Sequence, residues 1–247
     1  MANPLVEALE RAVESARDMD APLRDKLKLV ADEVRSLSAV FAEAVDRMVI
    51  RLQETRAGAG APEVGDRMPP FMLPDDHGRL VALEDLLAEG PVAISFNRGH
   101  WCPYCRLNVH ALADLQQELA DEGRQLVAIV PERRKFAASL REQSCAPFPV
   151  LTDMDNGYAL SLNLAIWVGQ EMETLIASAG WDVPSYQGNS AWMVPIPATF
   201  VVGADGVITA RYLDQDYRLR VGIDQLRAAL RATYSPRDKA SPRRASG

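Results

Sequence analysis

The stretch FNRGHWCPYCRLNV, residues 96–109, holds two of the three cysteines of this 247-residue chain, Cys102 and Cys105. Pro103 stands between them. Proline favours the first position of a helix and pushes the residue before it out of helical conformation. Cys102 is therefore predicted at the N-cap and Cys105 three residues later, at positions whose side chains can meet. Unpaired N–H groups and the helix dipole at such a terminus stabilise a thiolate, so the stretch predicts a reactive cysteine pair.

Other uses of a C-x-x-C pair require different neighbours. Haem attachment needs a histidine directly after the second cysteine, and Arg106 stands there. A zinc site could combine the pair with His100 and His110, but structural zinc sites normally add a second ligand pair, which we do not find in the sequence. We therefore expect no metal at the pair, and a dithiol that forms and breaks a disulfide.

The segments that follow and precede the pair alternate between strand and helix patterns. PVAISF (91–96) and QLVAIV (125–130) are continuous apolar runs, typical of strands buried on both faces of a sheet. Between them, residues 103–121 carry leucines on one helical face. A strand–helix–strand unit of this kind predicts two parallel strands joined by a right-handed crossover.

Two predicted hairpins and a last helix complete the sheet domain. FMLPDDHGRLVAL (71–83) reads as two short strands around a turn, and TFVVGADGVITARY (199–212) as two β-rich runs around GADG. GIDQLRAALRA (222–232) has the apolar spacing of a helix. A long irregular stretch separates the βαβ unit from the second hairpin. This order predicts a mixed sheet with helices on both faces.

The N-terminal part has a different pattern. Residues 3–56 predict helix throughout, with Pro4 and Pro22 as the only breaks. Apolar residues form one heptad stripe: Leu23, Leu27, Val30, Val34, Leu37, Phe41, Ala44 and Met48. The stripe could pack on its own domain or join two copies into a homodimer. RAGAGAPEVGD (56–66) then marks a linker. We divide the chain into a helical extension (1–58), an α/β domain (63–234) and a disordered tail (235–247).

Composition excludes several classes of protein. The chain is 48% hydrophobic and 25% charged, as in ordinary globular proteins. Its net charge of -7 argues against a nucleic-acid partner. No apolar run reaches the roughly 18 residues of a membrane span, and the first residues lack a secretion-signal pattern. We expect a cytoplasmic protein, where a close cysteine pair is more often catalytic or metal-binding than structural.

Together these motifs resemble a known family. RGHWCPYC (98–105), its flanking strand and helix, and the later PIPATFVVGADGVI (195–208) are similar to the thioredoxin fold. The segment from Val64 to Gly99 resembles the opening of the peroxiredoxin-like branch of the AhpC/TSA superfamily. The similarity covers about residues 63–233. It implies an α/β fold, a thioredoxin-like three-layer sandwich with a mixed sheet, preceded here by the N-terminal helical segment.

The resemblance also assigns a substrate-binding face. Pro197 matches the cis-proline that faces the cysteines in that family, so the backbone of Ile196 would pair with an incoming thiol substrate. Trp101, beside the first cysteine, is expected to form an apolar wall at the disulfide. These three residues are the predicted substrate contacts.

The chain departs from the peroxiredoxin pattern P-x-x-x-T-x-x-C. Aligned on Cys105, it has Arg98 in place of the proline and Cys102 in place of the threonine. The arginine that usually precedes x-x-F is absent too, because Pro197 fills that place. We therefore expect peroxide activation by Arg98, with Arg211 and Arg218 as weaker candidates.

The two family patterns assign the role of attacking thiol to different cysteines. The peroxiredoxin alignment points to Cys105, and thioredoxin logic points to Cys102. We expect Cys102 to attack and Cys105 to resolve, since the N-cap side chain should be more exposed and face more free N–H groups. His100 is expected to be exposed rather than a proton donor. Cys145 is expected to be an ordinary buried thiol rather than a distant resolving cysteine.

The resemblance implies a thiol peroxidase that reduces hydrogen peroxide or alkyl hydroperoxides. In this hypothesis a Cys102–Cys105 dithiol/disulfide cycle is recharged by thioredoxin or a similar dithiol, without a cofactor. A general thiol–disulfide oxidoreductase is the second hypothesis. A redox-sensing interaction protein, with partner binding by the N-terminal helices, is the third.

Overall fold

The computed structural model describes residues 4–234; the tail predicted to be disordered, 235–247, lies outside this range. The N-terminal part forms the helices α1 (Pro4–Asp18), α2 (Leu23–Leu37) and α3 (Ala39–Glu54). The continuous helix expected after Pro22 is wrong, because Ser38 ends α2 and caps α3: its hydroxyl accepts the N–H of Phe41 at 3.3 Å. All residues of the heptad stripe are buried except Leu37.

The elements of the α/β domain follow in chain order. They are β1 (Met72–Pro74), β2 (Leu80–Ala82), α4 (Leu83–Glu89), β3 (Val92–Phe96), α5 (Pro103–Leu119), β4 (Gln125–Val130), α6 (Arg134–Gln143), β5 (Val150–Thr152), α7 (Gly157–Ser161), β6 (Ala165–Trp167), α8 (Gln170–Ala179), α9 (Val183–Gln187), β7 (Met193–Pro195), β8 (Ala198–Val202), β9 (Ile208–Leu213) and α10 (Ile223–Ala232).

The central sheet has the order β5-β4-β3-β8-β9 within the described chain. β3 and β5 run parallel to β4, whereas β8 is antiparallel to both β3 and β9. The predicted parallel βαβ unit and both predicted hairpins are confirmed. Every residue of β3 is buried, as expected for a strand covered on two faces.

Two apolar cores lie against the two faces of this sheet. Ile94 and Phe200 point to the side covered by α4, α7 and the β1–β2 hairpin. Ala93 and Val201 point to the side covered by α5, α6 and α10. The alternation follows from the two-residue period of a strand, and the predicted mixed sheet with helices on both faces is confirmed.

The stretch between β5 and β8 is not irregular, contrary to expectation. It folds into α7, β6, α8, α9 and β7, and α8 buries Met172 and Ile176 against the N-terminal helices. Two of its helices have only five residues, too few to show a clear helical period.

A third apolar core joins the N-terminal helices to the cysteine loop. Leu9, Val34 and Phe41 pack in one cluster with Trp101 and Cys102. Of the two uses proposed for the heptad stripe, the structure shows packing on the chain's own domain. A homodimer through these helices stays a prediction and would need other residues. Between Pro4 and Tyr234, no helix has both the length and the apolar character needed to cross a bilayer.

Candidate active site

The cysteine pair lies where β3 passes into α5. α5 begins at Pro103, and the carbonyl of Cys102 accepts the N–H groups of Cys105 and Arg106, both at 3.1 Å. The N–H of Cys102 donates to the carbonyl of Gly99 at 3.2 Å. Cys102 therefore occupies the N-cap and Cys105 the third helical position, as the sequence predicts. Both cysteines are free thiols.

A buried polar network fixes this loop to the helix. The side-chain amide of Asn108 on α5 donates to Oδ1 of Asn97 at 3.1 Å and to Oγ of Ser95 at 3.2 Å. Asn97 in turn donates to the carbonyl of Ser95 at 3.0 Å. All three residues are buried. Because these hydrogen bonds form away from water, they hold the loop in one geometry relative to α5.

The hydrogen-bond donors of the site converge on Cys105. Its Sγ accepts the backbone N–H of Arg98 at 3.2 Å and lies 3.5 Å from Nη2 of Arg220. Burial alone raises the pKa of the Cys105 thiol, but the hydrogen bond from Cys102, the Arg220 guanidinium and the Arg98 N–H together bring that pKa below its ordinary value. Cys105 is thus the thiol poised to ionise.

Cys102 has the opposite character. Burial, followed by the hydrogen bond to Cys105 and the charge of the Cys105 thiolate, raises the pKa of the Cys102 thiol well above its ordinary value. Both thiols are buried, and the larger number of N–H donors expected at Cys102 is not found there. Its side chain is only 1% exposed, because the N-terminal helices cover it, and the loop aims the Arg98 N–H at Cys105 instead.

Arg98 lies beside the pair, as predicted. The residue is 2% exposed, and its guanidinium carbon lies 4.0 Å from the ring centroid of Tyr217 and 5.4 Å from that of Trp101. Within the described residues its Nε and Nη2 atoms have no hydrogen-bond partner. A buried guanidinium with unused donors can stabilise negative charge that develops next to it.

Arg211 and Arg218, the weaker candidates for peroxide activation, form their contacts elsewhere. Arg211 donates to Glu63 at 3.1 Å and to a backbone carbonyl. Arg218 donates to Asp216 and, at 2.7 Å, to Asp46 on α3. Their guanidinium groups are thus engaged with carboxylates away from the sulfurs. Arg220, which the sequence analysis missed, takes the place expected for them, and no motif in the sequence singles it out.

The segment predicted to bind the substrate, Ile196 and Pro197, differs from the expectation. No cis peptide bond occurs in residues 4–234, so the expected cis bond before Pro197 is wrong; a trans X–Pro bond is the favoured isomer by about 0.5–1 kcal/mol. The N–H of Ile196 is already used, since it donates to the carbonyl of Leu164 at 2.7 Å. Met48 and Leu52 of α3 line the same small space as these two residues.

His100 is not an exposed side chain, contrary to expectation. Its Nδ1 lies 2.6 Å from Oε1 of Glu132, its backbone N–H donates to Oε2 at 2.7 Å, and its ring stacks on Phe136. Burial raises the pKa of the Glu132 carboxyl, although the bonds to His100 oppose that shift. Sequence reasoning missed Glu132. Its signal is an acidic residue two positions after the carboxyl end of the buried strand β4.

Trp101 forms the expected apolar wall. Its ring centroid lies 6.0 Å from that of Trp181, and together with Cys102 the two rings border a small cavity. The position of Trp101 is as predicted, and its role as a substrate contact stays a prediction.

Cys145 is exposed, so the expectation of a buried thiol is wrong. It follows α6 in a left-handed conformation with φ of 52°. The preceding Ser144 donates to the carbonyl of Arg106 at 3.3 Å, which anchors the turn on α5 and leaves the next side chain in solvent.

The two histidines of the zinc alternative are engaged elsewhere. His110 contacts the carbonyl of Ser144 at 3.2 Å, and His100 contacts Glu132. Nowhere in the described part of the chain do three His, Cys, Asp or Glu side chains form a group that could hold a metal ion.

Comparison with known proteins assigns this site to a family. The model of the AhpC/TSA family matches residues 64–211, more than half of the chain. The chain belongs to the AhpC/TSA family. The AhpC/TSA match includes both cysteines of the pair but starts after α3 and ends at Arg211. The N-terminal helices, Tyr217 and Arg220 therefore lie outside it.

Two relatives carry names that place them among the peroxiredoxins. This AhpC/TSA protein is 28% identical to Rv2521 of Mycobacterium tuberculosis over 149 residues, which cover 60% of this chain and 83% of that protein. It is 30% identical to the bcp protein of Coxiella burnetii over 94 residues, 38% of this chain. That second match spans 62% of the Coxiella protein, slightly under two thirds of its length.

Solved structures show the same fold. Peroxidoxin BcpB from Mycobacterium tuberculosis superposes with a TM-score of 0.54 at 23% identity, over 70% of this chain and 99% of that one. A cysteine-to-serine mutant of peroxiredoxin 6 from Arenicola marina gives a TM-score of 0.52 at 14% identity, over 71% of this chain and 80% of that one. The predicted thioredoxin-like α/β fold is confirmed.

Proposed function

We propose that this AhpC/TSA protein is a thiol peroxidase in which Cys105 attacks the peroxide and Cys102 resolves the product. The observation that carries the proposal is the convergence of the Arg98 N–H and the Arg220 guanidinium on Sγ of Cys105. The thiolate is the nucleophilic form of cysteine, and these donors favour it in Cys105. The names of the relatives support the peroxide as substrate.

The first step breaks the O–O bond. The Cys105 thiolate attacks the terminal peroxide oxygen and becomes a sulfenic acid, while the other oxygen leaves and takes a proton as water or an alcohol. Negative charge develops on the leaving oxygen. The unused donors of Arg98, buried beside the pair, are placed to stabilise that charge.

The second step closes a disulfide. The Cys102 thiol condenses with the Cys105 sulfenic acid, which forms the S–S bond and releases water. The two positions in the first turn of α5 allow this with little backbone movement. A dithiol of the thioredoxin type then reduces the disulfide and is itself oxidised, which restores both thiols. A cytoplasmic location would supply such a reductant.

The test is the second-order rate constant of the reduced protein with hydrogen peroxide, followed by stopped-flow fluorescence. Trp101 borders the cavity beside Cys102 and should report the change, and a Trp101→Phe variant identifies its signal among the four tryptophans. A rate constant no larger than that of a free thiol would contradict the proposed peroxidase function. Fast reduction of insulin disulfides together with slow peroxide consumption would favour the general oxidoreductase instead.

A further inference from the structure

The N-terminal helices bury both sulfurs of the proposed peroxidase. Cys102 is 1% exposed and Cys105 is 0% exposed. The cover consists of Leu9 from α1, Val34 from α2 and Phe41 from α3, which pack against the cysteine loop. We call α1–α3 the helical cover. A nucleophile that must meet its substrate is thus enclosed by a segment outside the family match.

The space left under the helical cover is small. A water-sized molecule can occupy about 30 Å³ of the cavity beside Cys102. One water needs about 10–15 Å³ by this measure, so there is room for about two. Its walls include Val34 and Phe41 of the cover, Ile176 of α8, and Trp101, Trp181 and Cys102. Hydrogen peroxide fits this space, and an aromatic hydroperoxide does not.

The helical cover also packs against the segment Ile196–Pro197, where a larger partner would dock. Met48 and Leu52 of α3 close on Ile196 and Pro197, and only about 10 Å³ remains between them. From the side of α3, an extended peptide or a protein dithiol therefore cannot reach the sulfurs or Ile196 while the cover is in place.

The polar contacts that fasten the cover lie mostly at its surface. Arg106 donates to Glu10 at 2.6 Å, and Arg47 donates to Glu171 at 2.7 Å, between side chains that are largely exposed except for Arg106. Exposed ion pairs contribute little, so the apolar contacts of the cover dominate its closure. Truncating one of those contacts is the direct way to change the size of the enclosed space.

We propose that the helical cover is a size filter of the active site, with Phe41 as a specificity-determining residue. It admits hydrogen peroxide to the cavity that borders Cys102, next to the nucleophile Cys105, and excludes branched or aromatic hydroperoxides. Reduction of the disulfide by a protein dithiol requires the cover to open. This inference rests on the proposed peroxidase function, and the experiment separates the two.

The experiment compares two peroxides on the full-length reduced protein. The second-order rate constants for hydrogen peroxide and cumene hydroperoxide are measured by stopped flow. We expect hydrogen peroxide to react faster by about tenfold or more, as shape discrimination in an apolar pocket can provide. Equal rate constants would overturn the filter and leave the peroxidase intact. If the protein reacts with neither peroxide faster than a free thiol does, both the proposed function and the size filter are wrong.

Variants of the cavity wall then test whether the size of the cavity determines the selectivity between the two peroxides. Phe41→Ala enlarges it from the cover, and Ile176→Ala enlarges it from α8. Both should raise the rate constant for cumene hydroperoxide several-fold without a matching rise for hydrogen peroxide. Val45→Ala removes a buried side chain of α3 that does not border the cavity and should leave the ratio of the two rate constants unchanged.

The control also detects loosening of the cover. If Val45→Ala admits cumene hydroperoxide as well as Phe41→Ala does, selectivity arises from general stability of the helices and the assignment to Phe41 is wrong. If Ile176→Ala, which changes no residue of the cover, does not change the ratio, cavity size is not the determinant.

Discussion

The backbone N–H of Arg98 donates to Sγ of Cys105 at 3.2 Å, while the guanidinium of the same arginine stacks on Tyr217 at 4.0 Å. One residue thus supplies two separate groups to the site. The N–H stabilises the thiolate and survives any substitution of the side chain. The guanidinium, with two unused donors, is left for the charge that forms during attack.

Replacing the Arg98 side chain should therefore slow the peroxide step. Arg98→Met keeps the backbone N–H and much of the packing but removes the donors. We expect the second-order rate constant for hydrogen peroxide to fall by about 10²–10³, as for the loss of one oxyanion donor. Stopped-flow fluorescence measures it.

Arg211→Lys is the matched control, since Arg211 pairs with Glu63 away from the sulfurs. It should react like the parent protein. An unchanged rate in Arg98→Met would show that the leaving oxygen is stabilised by another group.

Arg220 should set the pH range in which Cys105 is ionised. A lowered pKa means that the thiolate persists at pH values below the ordinary thiol pKa and is lost as pH falls through the lowered value. Arg220→Met should move this titration to higher pH and slow the peroxide reaction near neutrality, with recovery at alkaline pH. Thiolate absorbance in the ultraviolet follows it.

This titration is best done in a Cys145→Ser background, because Cys145 is an exposed thiol that would contribute to the signal. Arg227→Met, which removes an arginine paired with Glu118 on the outer surface, should leave the curve in place. A coincident curve for Arg220→Met would refute the role of that guanidinium.

Single cysteine variants should separate attack from resolution. With Cys145 again replaced by serine, Cys102→Ser should form a sulfenic acid at Cys105 that a dimedone-type reagent labels after one equivalent of peroxide. Cys105→Ser should label slowly, because burial still raises the pKa of the remaining Cys102 thiol. Mass spectrometry locates the label. Fast labelling of Cys105→Ser alone would restore the order expected from the thioredoxin pattern.

Gly99 should tolerate no side chain. Its φ is +138°, and a Cβ built there would lie 2.4 Å from the carboxyl carbon of Glu132. Gly99→Ala should lower the free energy of unfolding by about 3 kcal/mol through backbone strain and overpacking. Urea unfolding of the reduced protein measures the loss.

Gly222→Ala provides the control, with φ of -65° and open space around the added methyl group. Its cost should stay within about 1 kcal/mol. The double variant Gly99→Ala/Glu132→Ala should be less destabilised than the sum of its single variants, because removal of the carboxylate relieves the contact. Strict additivity would show that strain alone forbids a side chain at Gly99.

Much of the sheet could be predicted because its signals are local. The apolar runs of β3 and β4 and the turn sequences of the two hairpins lie within short stretches of chain. The break at Ser38 was missed, since the heptad spacing continues through it and only the N-cap hydroxyl marks the new helix. The helices between β5 and β8 were missed because they are too short to show a period.

The sequence by itself determined where the chemistry lies: Pro103 places two thiols in the first turn of a helix, through backbone rules that act over a few residues. Only the tertiary structure decided which sulfur receives the donors that favour a thiolate. Arg220 lies far along the chain from Cys105, and no spacing rule connects them. The same holds for the helical cover. An apolar stripe predicts that a helix will bury one face, but the surface that it buries is chosen by the packing of the whole chain.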